Sequence, residues 1–285
     1  MENQIEKTKL TPGVIASYIV LAVMSFIWLL PLAWLLMSSF REEPGAYTTY
    51  LIPKNWTLAN YTTLFTETSQ FNYPRWYMNT FMIAICSCII STIFVIAVSY
   101  TFSRLHFRTR GLMMNIILVL GMFPGFMSMI AIYHILKAIG IEHPHVALIM
   151  VYSGSAGMGY YIFRGFIDTI PRTLDEAAWL DGANKFQVMY KIIMPMSKPI
   201  IIYTILTSFM APWVDFIFAS VIIKDRYDDF TIAVGLYRMT ERELMYQWFT
   251  RFCAGAVLIA IPITLLFIKM QNFYVEGVTG GAVKG

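Results

Sequence analysis

The residues from which chemistry could be built are a few carboxylates, histidines and glycines, and their placement argues against catalysis. Three acidic side chains, Asp175, Glu176 and Asp181, fall in one polar stretch from Pro171 to Pro195 (PRTLDEAAWLDGANKFQVMYKIIMP), with apolar sequence on both sides. Asp215 stands by itself in the apolar segment FMAPWVDFIF. An aspartate at the centre of a membrane span costs about 2.5–3.5 kcal/mol on insertion scales. It therefore faces a cavity or a partner, either as a gate in a translocation path or through a structural hydrogen bond to a neighbouring helix. His143 and His145 flank Pro144 in a short loop with no third ligand nearby, which reads as two surface histidines and not a metal site. The run Gly154-Ser155-Ala156-Gly157-Met158-Gly159 follows no strand and reads as close helix packing through small residues. The chain has no G-x-x-x-x-G-K-[ST], H-E-x-x-H or G-x-S-x-G motif. Cys86, Cys88 and Cys253 all lie in apolar segments and read as inert buried thiols.

The polar stretch must hold its acidic residues on a folded scaffold. Thr173, Leu174, Asp175 and Glu176 have the pattern of a capping box, which predicts a short helix starting at Leu174. Gly182 supplies a left-handed stop, Asn184 can cap a second helix, and Pro195 closes that helix before the next apolar run. The expected product is a helix–turn–helix loop standing clear of the bilayer. Within it, Glu176 has two open roles, a cap inside the loop and a charge contact with a partner.

The composition identifies the solvent for the rest of the chain. Hydrophobic residues make up 58% and charged ones 13%, with a mean hydropathy of +0.61; soluble domains run near half apolar and a quarter charged. An all-α integral membrane protein with one domain follows, with six spans expected at about 14–40, 78–103, 111–136, 146–166, 199–223 and 252–268, each near the length a bilayer requires. The first apolar run is too long for a signal peptide and lacks a small-residue cleavage site before its polar flank, so it is expected to stay as an anchor. The third span is expected to break near Phe123-Pro124-Gly125. The net charge of +4 is spread along the loops, which is a topology signal and not a nucleic-acid footprint. With a cytoplasmic N-terminus, twelve of the 21 lysines and arginines fall inside, and the short turn Arg104 to Arg110 carries three arginines. Both termini and the loop 167–198 are then expected in the cytoplasm.

Glu176-Ala177-Ala178, three residues, Gly182, nine residues and Ile192-Ile193-Met194-Pro195 resemble the E-A-A-x3-G-x9-I-x-L-P signature of ABC-importer permease subunits. Met194 replaces the usual leucine, a change that keeps volume and apolarity. Met122-Phe123-Pro124, the segment Asp229 to Leu236, Ile261-Pro262-Ile263-Thr264 and the tail Gly277 to Gly285 are similar to the smaller six-span permease of the maltose and maltodextrin importers, so the resemblance runs nearly end to end. It implies a type I ABC-importer permease fold. It also implies an assembly with a second homologous permease, two cytoplasmic ATPase subunits and an extracytoplasmic solute-binding protein that delivers a sugar. The chain itself would bind no cofactor, because ATP and Mg belong to the ATPase. The helix from Leu174 would be the coupling helix, with Glu176, Ala177, Ala178, Asp181, Gly182 and Pro195 as coupling residues. By the same resemblance the segment 227–248 would reach into the binding protein, and the tail 280–285 would touch the ATPase interface. Tyr133, Tyr152, Trp213 and Asp215 are the expected sugar-path residues, since rings pack on the apolar faces of sugars. A stand-alone secondary transporter or channel would call for internal repeats and several buried ionisable groups, and a membrane-embedded enzyme for a nucleophile or metal constellation; neither is apparent.

Overall fold

A computed structural model describes residues 11–123, 125–154 and 157–279, and among these the chain is helical without a strand. The helix α1 (Pro12–Ser39) starts where the Thr11 hydroxyl accepts from the Val14 N–H at 3.4 Å and Pro12 occupies the first turn. Its apolar residues are exposed along almost the whole length. Its far end is tied down by α2 (Ala59–Thr66): the Asn60 amide donates to the carbonyls of Ser39 (3.0 Å) and Arg41 (2.8 Å), and its oxygen accepts from the Thr250 hydroxyl (2.9 Å).

The central element is α3 (Tyr73–Arg104), capped by Asn72. Ser87, Ser91, Ser99 and Ser103, four or eight residues apart, are all at most 1% exposed. At that spacing they form one stripe along the helix, and small side chains let neighbouring backbones approach. Their hydroxyls reach across to neighbours: Ser99 donates to the Tyr160 carbonyl (3.1 Å), and Ser91 accepts from Ser208 (3.2 Å).

After α3 come α4 (Arg110–Gly121) and α5 (Gly125–Ala138), then α6 (Pro144–Gly154) and α7 (Gly157–Thr169). The break between α4 and α5 falls where a proline is expected to interrupt the third span; Pro124 itself lies outside the described residues. The polar loop contains α8 (Thr173–Leu180), α9 (Lys185–Val188), a π-helical turn at Met189–Ile193 and α10 (Met194–Met196). It runs into α11 (Lys198–Val214) through a bend of 83°. The chain finishes with α12 (Ile217–Ile223), a 3₁₀ turn at Tyr227–Asp229, α13 (Ile232–Met239) and α14 (Met245–Thr279).

Four of the described helical segments are long and apolar enough to cross a membrane: α1, α3, the run Pro144–Thr169 and Met245–Gln271; the bent pair ending in α11 makes a fifth. The expected third span is instead two shorter apolar helices, Arg110–Gly121 and Met127–Ala138. At 1.5 Å per residue each is about 18 Å long, well short of a hydrocarbon core of about 30 Å.

Two buried clusters stand at opposite ends of α3. One gathers Tyr73, Trp76, Ile83, Phe230, Ile232, Leu236 and Trp248, so that α13 and the start of α14 are held against the first turns of α3. The other gathers Val95, Tyr100, Phe163, Ile167, Val188, Ile193 and Ile200, and seats the polar loop. The first cluster is packed to contact: a Cβ at Gly235 would lie 2.0 Å from the Trp76 ring.

Candidate functional site

The polar loop folds much as its punctuation predicts, with one correction at its start and one at its end. Arg172 takes helical dihedrals (φ −68°, ψ −21°) at the N-cap position, and no side chain caps α8. The helix therefore begins at Thr173, and the expected Thr173–Glu176 capping box does not form. The reason is local: a cap residue needs extended dihedrals to turn its side chain onto the next turn, and the backbone is already helical before Thr173. Relieved of capping, Glu176 is exposed. Its place in the first turn suits the positive end of the helix dipole.

The turn is as expected. Gly182 has φ +81°, its N–H donates to the Trp179 carbonyl (3.0 Å), and the Ala183 N–H donates to the Ala178 carbonyl (2.9 Å), the paired bonds of a Schellman motif. Asn184 then starts α9 with a full capping box: its side chain accepts from the Gln187 N–H (2.9 Å), and Gln187 Oε1 accepts from the Asn184 N–H (2.7 Å). Pro195 does not close the helix as expected: it lies inside α10, two residues past the end of the π turn, and the helical backbone runs on to Met196. Proline lacks an N–H and crowds the carbonyl four residues back, which a widened turn accommodates.

Two faces result. Outward, Leu174, Ala177, Trp179, Asp181, Phe186 and Tyr190 are exposed, and Leu180 is 90% exposed. Inward, Asp175 and Arg104 form an ion pair at 2.8 Å with both side chains at most 3% exposed. Arg104 Nη2 donates to the Ile170 carbonyl (2.8 Å), Arg172 Nη2 reaches the Ser103 carbonyl (3.4 Å), and the Ser103 hydroxyl donates to Asp168 Oδ1 (2.5 Å). The Tyr100 hydroxyl donates to the Lys185 carbonyl (2.9 Å). Ala178 packs at the edge of the second cluster. Burial raises the Asp175 carboxyl above the ordinary carboxylate value, against the pull of Arg104 and Arg172. The sequence reading misses this layer. Arg104 looks like a topology charge and Asp175 like part of a cap, and no local pattern pairs residues so far apart in the chain.

Of the four expected sugar-path residues, Tyr152, Asp215 and Trp213 fall in one neighbourhood, and Tyr133 stands apart from them. Asp215 lies at the C-cap of α11, where the chain breaks before α12 (φ −80°, ψ 106°). Its Oδ1 accepts from the Phe218 N–H (3.0 Å) and its Oδ2 from the Tyr152 hydroxyl (2.7 Å). Tyr152 and Asp215 are thus joined, and of the two readings for Asp215 the hydrogen bond to a neighbouring helix is present. Trp213 is 2% exposed and packs edge-on against Tyr77, with ring centroids 5.0 Å apart. Tyr133 pairs separately with Lys224, whose ammonium donates to its hydroxyl (2.6 Å). The expectation of surface histidines fails for His145, which is 7% exposed with Nε2 3.0 Å from the Asp229 carbonyl. It joins α6 to the segment before α13. The expected ATPase contact of the tail 280–285 lies outside the described residues, as does the polar N-terminal flank 1–10.

A chain that is helical among the described residues, with several membrane-length helices and a polar loop that turns apolar side chains outward, is a multi-pass membrane protein. Residues 93–276 match the family model described as "Binding-protein-dependent transport system inner membrane component", and the chain belongs to that family of transport permeases. It is 34% identical over 270 residues to the galactooligosaccharides transport system permease protein GanQ of Bacillus subtilis (strain 168), covering 94% of this chain and 95% of that one. It is 32% identical over 289 residues to the maltodextrin transport system permease protein MalD of Streptococcus pneumoniae (strain ATCC BAA-255 / R6), covering 100% of both. Its fold matches that of a chain in the crystal structure of a bacterial ABC transporter involved in the import of the acidic polysaccharide alginate. The TM-score is 0.78 at 20% identity, over 91% of this chain and 95% of that one.

Proposed function

We propose that this chain is one of two permeases in an ATP-driven importer that moves an oligosaccharide of the maltodextrin or galactooligosaccharide kind across the cytoplasmic membrane. The observation that carries the reading is the two-faced loop. Exposed apolar side chains outside the membrane mark a partner surface, and this one is mounted on a turn whose geometry is set by Gly182 and Asn184. Four or five membrane-length helices with no recognisable nucleotide loop in the sequence support a chain whose energy arrives from another subunit.

In this reading α8 seats in a cleft of a cytoplasmic ATPase. Ala177 permits close approach, Leu180 and Leu174 fill apolar space, and Glu176 and Asp181 offer charge contacts at the rim. ATP binding with Mg closes the ATPase pair and draws the two coupling helices together. The spans rock to an outward-open state that receives sugar from the solute-binding protein, and hydrolysis resets them. The chain then has six spans, α4 and α5 together forming the third, with both termini in the cytoplasm. Tyr152 and Asp215, at the break in the fifth span, hold that break closed beside the path.

The test is reconstitution of the transporter in proteoliposomes, with labelled maltooligosaccharides and galactooligosaccharides supplied on the binding protein. Uptake of one class that requires ATP and all subunits is expected, together with cross-linking of Ala177→Cys to the ATPase. Uptake by this chain with no ATPase present would overturn the reading.

A further inference from the structure

Coupling helices need a mechanical connection to the spans they move. A docking surface that bends away under force transmits nothing, so what lies behind α8 matters as much as its exposed face. The turn backbone at Gly182 ties α8 to α9, but both would swing together unless something fixes them to a membrane helix. The apolar cluster beneath α9 and the π turn supplies area without direction, because hydrophobic packing is not directional and can slide. The one buried contact between charged side chains linking α8 to a long span, among the described residues, is Arg104–Asp175, at 2.8 Å.

Arg104 is the last residue of α3, the span that runs from the first buried cluster to the second. Its guanidinium bridges three elements: its own helix, Asp175 on α8 and the Ile170 carbonyl between α7 and α8. The groups facing the pair are Arg172, whose guanidinium reaches back to the Ser103 carbonyl, Glu176 on the same turn, and Tyr100, which is bonded to Lys185. An ion pair out of water resists separation far more than an exposed pair.

We propose that Arg104 and Asp175 are positioning residues for energy coupling: their buried ion pair locks α8 to the end of α3, so that displacement of the docked helix becomes displacement of the span. The inference rests on the reading of α8 as the ATPase-docking helix and goes beyond it, because neither residue is on the docking face. With the pair intact, α8 and α3 move as one body. With its charge removed, α8 still docks and the ATPase still turns over, but the motion is absorbed at the joint.

The experiment uses the complete transporter in proteoliposomes and measures labelled sugar moved per ATP hydrolysed, with maltotetraose or galactotriose as the probe, whichever the wild type takes up. Asp175→Asn keeps the shape and removes the charge. It is expected to retain subunit assembly and Ala177→Cys cross-linking to the ATPase, and to lose at least tenfold in sugar moved per ATP. Asp175→Glu keeps the charge and is expected to stay within about threefold of wild type. A second readout needs no sugar: spin labels at Thr173→Cys on α8 and Ile93→Cys on α3 should keep one distance on ATP trapping in the wild type and change distance in Asp175→Asn. The proposal is overturned if Asp175→Asn couples as well as wild type, if Asp175→Glu is as uncoupled as Asp175→Asn, or if transport and hydrolysis fall in parallel with loss of assembly. Absence of the Ala177→Cys cross-link in the wild type would instead refute the docking reading itself.

Discussion

Gly182 offers a graded perturbation of the loop, because its role separates into backbone and side-chain parts. At φ +81° a residue with a Cβ is strained, yet a Cβ at this position would meet no atom within 4 Å. Any effect of a small substitution is therefore conformational and not steric. An L-residue held in the left-handed region costs about 1–2 kcal/mol, less for asparagine, which visits that region readily, and more for a β-branched residue. The alternative is to abandon the turn. That sacrifices the bonds from Gly182 to Trp179 and from Ala183 to Ala178, at about 1 kcal/mol net each. The two routes are comparable for alanine, so Gly182→Ala should keep the turn with a strained backbone, whereas Gly182→Val should release it. With about 1.4 kcal/mol per factor of ten, the amides of residues 182 and 183 should exchange with deuterium about tenfold faster in Gly182→Ala, two- to threefold faster in Gly182→Asn and without protection in Gly182→Val. Hydrogen exchange by mass spectrometry, paired with sugar moved per ATP, follows both turn and function. Equal protection in Gly182→Val and wild type would refute the argument, as would a Gly182→Ala protein that loses its global fold.

Gly235→Ala should lower the melting temperature in a thermal scan, since its Cβ would sit 2.0 Å from a Trp76 ring that is itself 1% exposed; overpacking of that kind costs about 1–3 kcal/mol. Gly111→Ala, where no atom lies within 4 Å, should be neutral or slightly stabilising. Asp215→Asn keeps an acceptor for the Phe218 N–H and a partner for Tyr152 and should transport within about threefold of wild type. Asp215→Ala removes both contacts and should destabilise by about 2–3 kcal/mol. Loss of transport in a well-folded Asp215→Asn would show that the charge itself is needed. For Asp175 the folded state raises the carboxyl pKa above 3.8, so the native protein takes up a proton at higher pH than the unfolded chain does. Stability relative to Asp175→Asn should therefore rise as pH falls through the raised value toward 3.8, while coupling falls over the same interval because the ion pair is discharged. Denaturation and transport, each followed against pH on the side of the membrane that the polar loop faces, check the two opposite slopes.

Much of the loop was legible because its signals are short-range. A glycine stop and an asparagine cap act within one turn, and both stand where their residue types imply. The capping box at Thr173 failed because a cap depends on the dihedrals of the preceding residue, and Arg172 is already helical. The membrane character was legible from hydropathy, since a long apolar run has few alternatives. The span count was less so, because the helices Arg110–Gly121 and Met127–Ala138 are each too short to cross unaided. The serine stripe of α3 is carried by its four-residue spacing, but the apolar residues around it mask the pattern.

By itself, the sequence determined the solvent of most of the chain, the outward loop and the spacing by which its family is recognised. These depend on composition and on contacts between residues close along the chain. Only the tertiary structure decided what stands behind the loop: that Asp175 turns inward to Arg104, that His145 is buried against Asp229, and that Asp215 closes a helix break with Tyr152. Each of these joins residues more than 60 positions apart, and a buried polar group must find a partner wherever the fold brings one.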